Sequence, residues 1–289
     1  MKPPEQMVLY EKIAPHIATV TLNRPEKHNC IYPPDMIIEI GNKMRMGIED
    51  QAVKVIILRG NGPSFCTGDD LNVAPYEAFG GRPGFKPSQR ARLLGGFKLD
   101  EAFHSLDHCP KIVIGEAKGW SVGIGLLLLR ACDIVIAAES AKLAHREQRI
   151  AFAGLLTGGG ILLDLLILGP RRAREWLLTG RIVTAQEAKE WGWVNAVVPD
   201  ADLEKETMRW AETICLMPGD GLVNGKIHFN TVLDTMGYAS AQGSALTAWI
   251  LMQNLRWDED EMNFLKLRSA IGPTQAFKER EKRWAQLGF

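Results

Sequence analysis

Two short stretches place glycine, small residues and a helix start where a ligand could meet bare backbone. SFCTGDDL (64–71) follows the β-rich run VKVIILRG (53–60). GWSVGIG (119–125) follows KIVIGEAKG (111–119) and leads into the leucines of GWSVGIGLLLLRACD (119–133). Glycine permits positive φ and close approach by a ligand, and N–H groups that open a helix lie at the positive end of its dipole. Two such turns at the same ends of adjacent strands would aim two N–H donors at one oxygen, the layout of an oxyanion hole. Either turn alone reads as an ordinary turn; the pair points to chemistry.

Two rival readings of 119–133 fail. A dinucleotide fingerprint GxGxxG needs a third glycine at 128, where Leu128 stands, and no convincing acidic residue closes a second strand. A membrane span needs about 20 apolar residues, and Arg130 and Asp133 interrupt this run too early. The other apolar stretch, AGLLTGGGILLDLLILG (153–169), is short and contains Asp164. Both read as buried core.

The elements that would position these turns follow from periodicity. Strand-like runs MVLYEKI (7–13) and IATVTLN (17–23) flank a Pro-containing turn, and 34–49 has helical spacing. VKVIILRG, KIVIGEAKG and DIVIAAES (133–140) are continuous apolar runs, as expected of strands buried on both faces. Helical stretches at 99–108 and 126–132 alternate with them, giving an α/β fold. Residues 72–98 hold three prolines and five glycines and read as a long loop. It is either a surface excursion or a lid offering Arg82, Lys86, Arg90 or Arg92 to a phosphate. From about 200 onward helical patterns dominate, and a region of that size would pack on neighbours or build an oligomer interface.

Bulk properties narrow the partners. A chain of 289 residues suggests a core with an appendage. Lys+Arg and Asp+Glu both total 34, so no global field draws nucleic acid or an anionic membrane. Five cysteines, with no CxxC pair, argue against a disulfide framework or a four-ligand zinc site. The N-terminus has neither an apolar signal core nor an arginine-rich presequence, so a cytoplasmic protein is expected.

LNRPEKHN (22–29), SFCTGDDL, GWSVGIG followed by LLLLRACDIVIAAESA, and LLTGRIVTAQEAKEWGWVNAVVP (177–199) occur in this order. Together they resemble the crotonase superfamily, the enoyl-CoA hydratase/isomerase family, over residues 8–200 and more weakly beyond. The resemblance implies an α/β fold: a crotonase-like ββα spiral core at 1–200 that binds acyl-CoA, and a helical oligomerisation region at 201–289. It implies a homotrimer or dimer of trimers, coenzyme A as part of the substrate, and no metal or permanently bound cofactor. The oxyanion donors would be the backbone N–H groups of Asp69 and Ile124, although β-branched Ile124 stands where glycine is usual and disfavours positive φ.

Family hydratases use two glutamates. The first falls at Leu127, where the acid is absent; the second, twenty positions on, falls at Glu147, preceded by Arg146 instead of proline. Burial would raise the Glu147 pKa and a close Arg146 would oppose that. His145 is the next titratable candidate, and Asp69 and Asp70 read as turn formers. Leu127, Trp120 and His145 would line the substrate pocket, with Leu126, Leu128 and Leu129 making it greasy. Arg24, Lys27, Thr67, Lys278 and Lys282 would contact CoA, the last two on the same or a neighbouring subunit. The glycines of LTGGGI (156–161) are given a packing role. A single glutamate suits double-bond isomerisation, or a hydratase/lyase reaction in which a substrate group assists. Hydrolysis of a thioester or C–C bond, and non-catalytic CoA binding, are the alternatives.

Overall fold

In the computed structural model the described residues are 3–32, 34–72, 87–150, 160–251 and 256–289. A short helix α1 (Pro4–Met7) leads into β1 (Val8–Ala14) and β2 (Ile17–Leu22), then α2 (Asp35–Glu49) and β3 (Val55–Gly60). After α3 (Gln89–Asp107) come β4 (Ile112–Ala117), β5 (Trp120–Val122), α4 (Ile124–Arg130), β6 (Ile134–Ala138) and β7 (Lys142–Ala144). The chain continues through α5 (Gly160–Thr179), β8 (Ile182–Thr184), α6 (Ala185–Glu190) and β9 (Ala196–Val198). It ends in α7 (Leu203–Cys215), α8 (Gly219–Thr235), α9 (Tyr238–Leu251), α10 (Phe264–Ile271) and α11 (Pro273–Ala285).

The main sheet has the order β1-β2-β3-β4-β6-β9, antiparallel only between β1 and β2. Its central strands are rich in apolar residues because both faces are covered: every residue of β2, including Thr19 and Thr21, is buried. On one side lies the large core that includes Leu22, Met36, Met44, Leu58 and Leu129. On the other, Leu203, Ala211 and Ile214 of α7 pack on Ile17, Val55, Ile57, Ile114 and Ile136. A second sheet, β5-β7-β8, stands beside the first. This strand–strand–helix winding, with helices at the C-terminal end, is the crotonase-like α/β fold that the motifs implied.

The segment 72–98 is not one long loop. Ser88 caps a helix, its hydroxyl accepting from the Ala91 N–H at 3.1 Å, so α3 begins at Gln89 and takes in the last ten residues, 89–98, of the stretch expected to be irregular. Arg92 is thereby buried and withdrawn from any phosphate, while Arg90 is exposed in the first turn. Arg82 and Lys86 lie outside the described residues.

Candidate active site

The first glycine turn is laced to two neighbours. On one side Cys66 donates to the Trp120 carbonyl (3.0 Å) and Val122 donates to that of Cys66 (2.9 Å). On the other, Ile31 donates to the Gly68 carbonyl and Asp70 to that of Ile31, both at 2.8 Å. Gly68 has φ 93°, and a Cβ there would stand 3.2 Å from the Val122 oxygen. The second turn bends at Gly123, with φ 57° and ψ −123°, a conformation side chains avoid. The tension expected at Ile124 therefore does not arise: Gly123 takes the positive φ and Ile124 opens α4 in ordinary helical geometry. Among the described residues, neither the Asp69 nor the Ile124 N–H donates to another protein group. For Ile124 this follows from its place at the helix start, where no preceding turn offers a carbonyl.

Glu147 opens a 3-10 turn, Glu147–Ile150, just after β7. One carboxylate oxygen, Oε2, lies 2.7 Å from Nδ1 of buried His145. The other, Oε1, lies 2.7 Å from the point where a Cβ on Gly123 would stand, a point 3.8 Å from the Gly68 Cα. The acid thus sits over the junction of the two turns. Burial pushes its carboxyl up, but the charge and hydrogen bond of His145, with a backbone hydrogen bond and the charge of Arg130, together leave it below the ordinary glutamate value. The expected net rise is not found, and Arg146 is not the opposing group: with Arg149 it pairs with Glu281 on α11.

This geometry gives Gly123→Ala a definite outcome. The new methyl would displace the Glu147 carboxylate and impose backbone strain of about 1–3 kcal/mol. Lower thermal stability together with reduced activity is expected; activity equal to wild type would show that the carboxylate need not lie there.

The enoyl-CoA hydratase/isomerase family model matches residues 12–284. The chain belongs to the enoyl-CoA hydratase/isomerase family. Among solved structures it is similar to an enoyl-CoA hydratase from Mycobacterium smegmatis, at 28% identity and TM-score 0.82, covering 96% of this chain and 94% of that one. A probable enoyl-CoA hydratase from the same organism is 32% identical with TM-score 0.75, covering 85% and 93%. An enoyl-CoA hydratase/isomerase from Xanthobacter autotrophicus Py2 is 30% identical with TM-score 0.77, covering 96% and 98%.

In this member of the enoyl-CoA hydratase/isomerase family, the residues singled out by sequence separate into two groups. Asp69, Ile124, Glu147 and His145 meet at the turn junction. Leu127, one turn into α4 from Ile124, is half-buried, whereas Leu126, Leu128 and Leu129 are enclosed in the main core and cannot line a pocket. Trp120 is at the far end of β5, beneath the Lys142 ammonium at 5.1 Å, and makes no ring or hydrogen-bond contact with Glu147.

Arg24 corrects the reading of its motif. It is buried, donating to the Cys30 carbonyl (2.6 Å) and to Asp70 (3.0 Å), so its guanidinium ties two loops together and is not open to a CoA phosphate. Lys27 is exposed, and the Thr67 hydroxyl turns to the His28 carbonyl at 3.3 Å. Lys278 and Lys282 are exposed on α11, Lys282 pairing with Glu279. That helix packs on its own subunit, next to Glu147: Arg149 lies over the Trp284 ring at 4.7 Å, and Phe264, Ala276 and Ile150 form a small core touching Leu71.

Of the LTGGGI glycines, Gly158 and Gly159 fall outside the described residues, and Gly160 lies directly against the Arg130 guanidinium. Among the described residues no group of three or more His, Cys, Asp or Glu could hold a metal, and no helix is long and apolar enough to cross a membrane.

One contrast between neighbours escaped the sequence reading. Asp69 and Asp70 look alike in sequence, but Asp70 is tied to Arg24 and Asn72, whereas the Asp69 carboxylate is exposed and has no partner among the described residues. The ion partner that separates them stands 46 positions upstream.

Proposed function

We propose that this chain binds an acyl-CoA thioester, draws its carbonyl oxygen between the N–H groups of Asp69 and Ile124, and moves a proton with Glu147. The observation that carries this reading is the carboxylate of Glu147 lying over the junction of two turns whose Asp69 and Ile124 N–H groups have no protein partner among the described residues. Two such donors stabilise the enolate formed when a Cα proton leaves; losing one costs about 2.7–4 kcal/mol of transition-state stabilisation. Held ionised by His145, Glu147 is ready to accept that proton. Returned at Cγ, the proton completes β,γ to α,β isomerisation. Hydratase/lyase chemistry assisted by a substrate group uses the same enolate. Leu127 cannot orient water, which disfavours hydration by a glutamate pair and supports a hydrophobic acyl group.

Lys27, Thr67, Lys278 and Lys282 are the proposed CoA contacts, with no permanent cofactor. A homotrimer or dimer of trimers in the cytoplasm fits the apolar side chains that α8 leaves exposed, among them Ile227, Phe229 and Val232; light scattering reads the assembly. The test of function is product analysis with 3-hexenoyl-CoA and 2-hexenoyl-CoA. Interconversion of the two is the expected result. Release of free CoA would assign a hydrolase, and retention of both esters unchanged would assign a binding protein.

A further inference from the structure

The 3-10 turn that carries Glu147 is tied down from the C-terminal end of the chain. Arg146, just before the acid, and Arg149, two residues after it, both donate from Nη1 to Oε2 of Glu281 on α11, the Arg149 bond at 3.1 Å. Between them the Arg149 N–H closes the turn on the Arg146 carbonyl at 3.1 Å. Arg149 Nε also donates to the Thr179 carbonyl at the end of α5 (2.7 Å). The other oxygen of Glu281, Oε1, accepts from Arg280 Nε at 2.7 Å. Arg280 is itself buried, over the Phe264 and Phe277 rings. Among the described residues these three guanidiniums have no other ion partner, so a single carboxylate holds them together. Stripping the one partner from buried charges leaves them uncompensated.

The same pair of helices reaches the opposite wall of the site. Arg268 of α10 donates to the Leu71 carbonyl at 2.8 Å, and Leu71 packs on the cluster of Ile150, Phe264 and Ala276. Leu71 stands two residues after Asp69, and Ile150 three after Glu147. α10 and α11 therefore grip both the turn that offers an N–H donor and the turn that carries the acid. Among the described residues, their only ionic hold on the second is Glu281.

We propose that Glu281 is a positioning residue for Glu147: by bridging Arg146 and Arg149 it fixes the backbone turn that sets the Glu147 carboxylate above Gly123. This rests on the reading of Glu147 as the base. Glu281 acts only through the two arginines, on either side of the acid. His145 orients the carboxylate through its 2.7 Å contact with Oε2, but that contact alone leaves the turn behind the carboxylate free to shift. The Glu281 bridge removes that freedom. A base displaced by about 1 Å from its proton costs about 100-fold in rate, even when the change is made away from the chemistry.

The test is the rate of Cα-deuterium exchange into 3-hexenoyl-CoA in D2O, measured on the full chain well below its melting temperature. Glu281→Ala should lower kcat for exchange by about 100-fold with little change in KM. The alanine leaves a gap among three guanidiniums, so added formate should restore much of the rate, whereas formamide, of similar size but uncharged, should not. Arg146→Gln removes one of the two tethers and leaves Glu281 its bonds to Arg149 and Arg280; a loss of about 10-fold is expected. Should Glu281→Ala not fold, Arg146→Gln decides alone. Wild-type exchange in every folded variant, or a loss in Glu281→Ala that formate does not relieve, would overturn the proposal and leave the enolate reading intact. A wild type that exchanges no deuterium would overturn both.

Discussion

Glu147→Gln is expected to slow isomerisation of 3-hexenoyl-CoA by about 10³-fold, within the range for loss of a positioned acid/base. The amide keeps the size of the side chain and can still accept from His145, so the fold and the affinity for the thioester should hold while kcat falls. The loss is chemical: an amide oxygen cannot take a Cα proton at neutral pH. The wild-type pH profile should show the same group from the other direction. His145 lowers the Glu147 pKa, so the base form persists below the ordinary glutamate range and the rate declines only as pH falls past that lowered value. Replacing His145 by Gln should move this acid limb upward, because burial is then opposed only by a backbone hydrogen bond and the charge of Arg130. A limb that stays in place would mean that His145 does not set the charge state of the base.

Asp164→Ala should destabilise the fold by about 3–5 kcal/mol, the cost of stripping one partner from a buried ion pair. Asp164 is 1% exposed; it accepts from Arg130 at 2.8 Å and from the Trp193 indole at 3.0 Å. Arg130 closes the helix that Ile124 opens, so the pair anchors the far end of the element that presents one N–H to the site. Asp107 also acts on Arg130 electrostatically, which places the effect toward the low end. Asp164→Asn keeps an acceptor for Trp193 but leaves the guanidinium without this charge, so its loss separates the ionic part from the hydrogen bond. Urea unfolding of the three proteins reads both, and a change under about 1 kcal/mol for Asp164→Ala would mean Arg130 is satisfied without it.

The parts of this molecule that were legible in its sequence are those governed by local pattern. β3, β4 and β6 are dominated by apolar, β-branched residues because each is covered on both faces, and their boundaries fall within a few residues of the pattern. The twenty-residue interval implied by the family resemblance leads from Leu127 to Glu147, whose carboxylate lies over the junction of the two turns. What escaped depends on partners distant along the chain. Nothing near Arg24 announces that Asp70 will draw it inside, and nothing in the aspartate pair says which one will be left free. The pairing of Arg149 with Glu281 joins residues 132 positions apart, so the docking of α11 beside Glu147 had no local signature. The start of α3 was lost for another reason: the glycines and prolines of 72–98 masked a single serine cap.

The account turns on one act, removal of a Cα proton by Glu147 with the charge taken up at the thioester oxygen. Deuterium incorporation at Cα of 3-hexenoyl-CoA in D2O, followed by mass spectrometry for wild type and Glu147→Gln, measures that act without requiring turnover. Rapid exchange in the wild type and its loss by about 10³-fold in the variant is the outcome the structure predicts. Equal exchange in the two proteins would contradict it.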